Sequence, residues 1–220
     1  MKKNNLILVA MVAIVAVAGL GFYAMSRDDN NSMMDSDDTS MMQSNASMAN
    51  MDSSTYKEYA ALKGEDYDRL FLSNMIAHHQ GAIDMAELAL TSAKHQEIKG
   101  LATAIVSAQT AEIKDMTSWQ SQWGYPASSG EAMMDHSAMG MMADMEGMTR
   151  SIKGITGDEF DKLFLAGMIE HHQSAIDMAV SGRTNAYHEE LITLTQNIVT
   201  AQSNEITQMK QWQKDWGYAN

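Results

Sequence analysis

Apolar positions recur along this chain with a helical period. From about Asp66 to Ala93, the residues Phe71, Met75, His78, His79, Ala82, Ala86 and Ala89 share one face at about 100° per residue. Acidic residues fill the first turn, where the helix dipole favours them. A second stripe joins His95, Ile98, Leu101, Ala102, Ile105, Gln109, Glu112, Met116, Trp119 and Trp123, and predicts a helix from about His95 to Trp123. Gly124 stops that helix and Pro126 lies just beyond.

The same pattern then returns. "NMIAHHQGAIDMA" (Asn74 to Ala86) and "GMIEHHQSAIDMA" (Gly167 to Ala179) align without a gap at an offset of 93 residues. At that offset His95 pairs with His188, and "EIKDMTSWQSQWGY" from Glu112 pairs with "EITQMKQWQKDWGY" from Glu205. Roughly half of the paired positions are identical, which marks an internal duplication. Each repeat predicts a helical hairpin. One hairpin cannot bury its stripes alone, so two should pair into an all-α four-helix bundle.

The flanking segments read differently. Lys2 and Lys3 precede an uncharged, mostly apolar run from Leu6 to Met25 that is about long enough to span a bilayer. A signal anchor is the favoured reading of residues 1–26; Ala16-Val17-Ala18 offers a cleavage site and keeps a removable signal peptide open. In either case the basic flank stays cytoplasmic and the rest of the chain is extracytoplasmic, in the periplasm or at the cell surface. Residues 27–54, rich in Ser, Asn, Asp and Met, predict a disordered tether. Residues 55–125 and 151–220 are the hairpins, and 126–150 a methionine-rich flexible linker.

Two polar knots interrupt the stripes. Met75 lies near the centre of its face, with His78 to one side and His79 to the other, and Met85 two turns beyond His78. Gln80 and Asp84 fall on the opposite face, so the recurring aspartate is a poor partner for the histidines. If the hairpin turns near Lys94, His78 and His79 face Gln109 and Glu112, and Leu72 faces Met116. Met168, His171, His172, Met178, Gln202, Glu205 and Met209 reproduce the arrangement. Such a knot can be a structural hydrogen-bond network that fixes register, or a metal site in which Gln109/Glu112 and Gln202/Glu205 orient the imidazoles. His95 and His188, near the turns, suit a surface or capping role at least as well as ligation.

Composition sharpens the choice. The net charge of −13 offers no basic stripe for nucleic acid. Cysteine is absent, while methionine supplies 22 of 220 residues, so thioether is the only soft ligand. Met33, Met34, Met41, Met42, Met48 and Met51 fall in the predicted tether; Met133, Met134, Met139, Met141, Met142, Met145 and Met148 surround His136 in the linker. Without a core to fill, thioethers beside an imidazole suit Cu(I) or its mimic Ag(I). A methionine-rich adaptable binding surface is the alternative.

"MIAHHQGAIDMA" and "MIEHHQSAIDMA", each followed by a "WGY" ending, resemble the family catalogued as domain of unknown function 305. The resemblance covers both repeats, about two thirds of the chain. It implies a ferritin-like helical bundle. For the periplasmic CopM-type members it also implies copper bound through methionine and histidine in support of copper resistance. By that likeness Met75, His78, His79 and Met85, with Met168, His171, His172 and Met178, are the metal positions. The expectation is thus a copper-binding protein with two equivalent sites, fed by the flexible methionine segments and passing metal to other copper-handling proteins. No nucleophile–base pair, phosphate loop or triad points to an enzyme, and the Glu-x-x-His pairs of carboxylate-bridged redox bundles are missing. A helical interaction module with structural histidines is the remaining alternative.

Overall fold

Both predicted stripes become helices within a residue or two of their expected ends. In this computed structural model the structure describes residues 48–125 and 146–218. Helix α1 is short (Ser54–Ala61), α2 spans Glu65–Ser92 and α3 spans Gln96–Gln122. Residues 146–152 are also helical. They lead to α4 (Gly157–Ala179), the short α5 (Gly182–Asn185) and α6 (Glu189–Asp215). Among the described residues every element is helical, and α2, α3, α4 and α6 form the bundle. The seven residues of the α2 stripe are all buried, and on α3 so are Ile98, Leu101, Ala102, Ile105, Gln109 and Met116.

Within each hairpin the two long helices pack on one another, and the hairpins meet through α2 and α4. These two helices run antiparallel: the Tyr67 hydroxyl donates to the Met178 carbonyl (2.9 Å), while His78 meets His171 further along. Each hairpin also ties down the turn of the other. The buried Asp68 carboxylate accepts from the backbone N–H of Tyr187 (2.9 Å) and His188 (3.2 Å) and from His188 Nδ1–H (2.7 Å). Asp161 does the same for Lys94 (2.9 Å), His95 (3.1 Å) and His95 Nδ1–H (2.6 Å). Trp123 stacks on His188 at 3.7 Å and Trp216 on His95 at 3.8 Å. Each of these buried aspartates accepts from several donors, and those hydrogen bonds fix the turn.

The second hairpin departs from the first where α4 stops at Ala179 and α5 follows, whereas α2 continues unbroken. Gly182 stands where the first hairpin has Ala89, and Thr195 where it has Ala102. A Cβ at Gly182 would lie 2.5 Å from Thr195 Cγ2, so the larger threonine is accommodated by removing a methyl group opposite.

The predicted tether boundary at Ser54 moves. Asn50 N–H and Ser53 Oγ–H both donate to Asp177 (2.7 Å each), and Gln173 Nε2–H donates to the Met48 carbonyl (2.7 Å). Ser53 also caps α1 by accepting from Tyr56 N–H (3.0 Å). Polar residues that could not make a core are thus fixed by hydrogen bonds to α4, and α1 packs on the same helix. The linker boundary moves likewise, because the 146–152 helix seats Met148 and Ile152 against the core. The predicted membrane segment lies outside the described residues; among those described, no helix is long and apolar enough to cross a membrane.

Candidate metal centre

Two apolar clusters fill the bundle. One holds Met75, Phe71, Leu72, Met116 and Met178; the other holds Met168, Phe164, Leu165, Met209 and Met85. The methionines therefore sort across the hairpins: Met85 joins Met168, and Met178 joins Met75. Along both α2 and α4 the histidine pair falls where one cluster gives way to the other.

All four histidines are buried, each at most 2 % exposed. The expected facing residues are in place on one side of each pair. His79 Nε2–H donates to Glu112 Oε2 at 2.6 Å, and His172 Nε2–H to Glu205 Oε2 at 2.6 Å. A carboxylate can only accept, so Nε2 carries the proton in each of these bonds and Nδ1 is turned away from the glutamate. Gln109 and Gln202 are buried with their Oε1 atoms unpartnered and make no bond to the imidazoles.

The inner histidines of the two hairpins lie against one another. The His78 and His171 rings lie 3.7 Å apart between centroids, and His171 Nε2–H donates to the His78 carbonyl at 3.0 Å. His79 lies 6.4 Å from His78, and His172 6.0 Å from His171. The two predicted knots therefore abut through His78 and His171 at the junction of the hairpins, while His79 and His172 are turned to the glutamates of their own hairpins. Burial, reinforced by the neighbouring imidazoles, holds His78 and His171 well below the ordinary histidine range, so both are uncharged at neutral pH. In all four rings Nδ1 is buried without a partner.

This donor set fits a soft or borderline ion. Neutral imidazole nitrogens are metal ligands without first losing a proton, and thioethers line both adjoining clusters. Among the described residues no group of three or more His, Asp or Glu side chains is placed to hold a metal ion together. Met116 and Met209 are fully buried among aliphatic and aromatic neighbours. Asp84 is exposed and bonded to Gln80 (2.9 Å), while Asp177 is buried by the docked segment at Asn50–Ser53. His95 and His188 serve the turn clusters. Met133, Met134, His136, Met139, Met141 and Met142 lie outside the described residues. Periodicity did not single out Asp68 or Asp161; the recurrence of Asp68 and Asp161 at the 93-residue offset, in step with His95 and His188, was the available signal.

Comparison with known proteins places this geometry in a family. The chain is similar to CopM solved in a Cu(II)-bound form, with 39% identity and a TM-score of 0.57 over 70% of this chain and 99% of that one. The Cu(I)-bound form of CopM gives 38% identity and a TM-score of 0.56 over 68% and 96%. A fragment from Deinococcus radiodurans gives 26% identity and a TM-score of 0.57 over 66% and 93%. No curated protein matches. The profile described as "Domain of unknown function (DUF305)" matches residues 20–106 and 71–213, and the chain belongs to that family.

Proposed function

We propose that this chain is an extracytoplasmic copper-binding protein that sequesters the ion or passes it on. Cu(I) is the favoured state and Ag(I) its mimic. The observation that carries the reading is the set of four buried imidazoles with unpartnered Nδ1 atoms at the hairpin junction. Likeness to CopM, whose solved forms hold Cu(II) and Cu(I), supports copper as the ion. His78, His79, His171 and His172 supply nitrogen, Met75 and Met168 supply sulfur from the adjoining clusters, and Glu112 and Glu205 orient the outer rings. The methionine-rich segments capture ions, and the apolar run from Leu6 to Met25 anchors the chain. The chain acts as a carrier and not as an enzyme.

The His79–Glu112 and His172–Glu205 bonds also suit a purely structural network. Cu(I) titration of the purified chain against a thiol-free chelator separates the two readings. The variant with glutamine at positions 78, 79, 171 and 172 should lose the tightest class of binding. If that class survives intact in a folded variant, the histidine centre is structural.

A further inference from the structure

The chain ahead of α2 is fastened to the second hairpin at two places, one on each side of the turn between α4 and α5. Residues 180 and 181 form that turn. On the α4 side, the Asp177 carboxylate accepts from Asn50 N–H, from Ser53 Oγ–H and, at 3.0 Å, from Gln173 Nε2–H. On the α5 side, the buried Asn185 donates from Nδ2–H to the carbonyls of Tyr59 and Ala60, both at 3.3 Å. Its backbone carbonyl accepts from Gly64 N–H at 2.7 Å, and its side-chain oxygen accepts from Lys63 Nζ. Residues 48–64 thus form an arm bonded to the chain on both sides of the joint.

The first hairpin carries the same stretch without a joint. There α2 runs unbroken through Glu87 and Leu88, the counterparts of Val180 and Ser181 at the 93-residue offset. Asp84, the counterpart of Asp177, is exposed, and Ser92 stands where the second hairpin has Asn185. A further difference lies opposite the joint. The Met178 carbonyl, which an unbroken helix would offer to the amide four residues on, accepts from the Tyr67 hydroxyl. Phe160 is the counterpart of Tyr67 and has no hydroxyl to donate. Arm and joint therefore occur together, on the second hairpin.

We propose that the arm and the α4–α5 joint are one cooperative clasp, through which the chain ahead of Met48 controls the end of α4. The clasp consists of hydrogen bonds at a half-buried surface and one four-residue helix, elements that open far more readily than a packed core. Asp177 gathers three donors, so loss of that one group frees the whole segment from Asn50 to Ser53. Tension on the chain ahead of Met48 reaches Asp177 first and the joint next. His171 and His172 lie on α4 within two turns of Asp177, so the clasp acts on the helix that carries them. No bound ion is needed for this coupling, which is separate from the copper reading.

Amide hydrogen exchange on the full chain, read by mass spectrometry, tests the coupling from both ends. Asp177→Ala removes the acceptor on α4 and should speed exchange in residues 48–53. In a cooperative clasp it should also speed exchange at the far anchor, residues 59–64 and 182–186, by roughly tenfold. Asn185→Ser, which copies the first hairpin, should speed exchange in residues 48–53 by a similar factor, because coupling is reciprocal. Ser53→Ala removes a single donor of the arm and should speed exchange at residues 182–186 even if Asn185→Ser folds poorly. Asp84→Ala, at the exposed counterpart, should leave all these segments unchanged. Faster exchange confined to the altered end would overturn the clasp, and so would an equal response to Asp84→Ala.

Discussion

An imidazole nitrogen buried without a partner costs about 1–3 kcal/mol, and four such Nδ1 atoms lie within this bundle. Apolar side chains of similar size would avoid that cost, and the proposed ligand role is what would offset it. Glu112 and Glu205 then matter through the rings they orient. Glu112→Ala should weaken Cu(I) binding by roughly 10–100-fold in a chelator competition. It should also lower stability by about 1–3 kcal/mol in urea denaturation, because His79 Nε2–H loses its acceptor. Unchanged affinity would confine Glu112 to a structural role. Protonation gives a second expectation. Burial depresses His78 and His171 in the folded chain, while the unfolded chain takes up protons at these rings near pH 6.5. Stability is therefore full above about pH 6.5 and declines as pH falls toward the folded values. The urea midpoint of the metal-free protein should drop between about pH 7.5 and pH 5.5, and His78→Gln with His171→Gln should flatten that slope. An equal slope in the double variant would assign it to other groups.

At the scale of elements, helical period identified which residues face inward, and the whole α2 stripe from Phe71 to Ala89 is buried as its spacing required. Period carries less information about where a helix pauses. The break after Ala179 follows from a paired change of size, with Gly182 against Thr195 replacing Ala89 against Ala102. Neither residue is informative alone, since the exchange is visible only once α5 and α6 are in contact. Gly182→Ala should cost about 1–3 kcal/mol by overpacking, and adding Thr195→Ala should recover most of it. Thermal unfolding of the single and double variants measures this; an additive loss would show that the two side chains do not share the space.

At the scale of the molecule, the sequence showed two knots, and the structure brings them to one junction. Stripe geometry gives the buried face of a helix but not its partner, so His78 meeting His171 across α2 and α4 was not legible, nor was Asp68 holding His188. The docked segment at Asn50–Ser53 was hidden for another reason: polar residues secured by hydrogen bonds look like tether in composition. The His79–Glu112 and His172–Glu205 pairs were legible because a single hairpin with a short turn fixes its own register. The central claim, that buried imidazoles hold the copper, is tested most directly by copper K-edge X-ray absorption of the chain loaded with one equivalent of Cu(I). Imidazole nitrogen scattering should appear together with thioether sulfur, and the nitrogen component should be lost when positions 78, 79, 171 and 172 are glutamine. Sulfur-only ligation in the unaltered chain would contradict that claim.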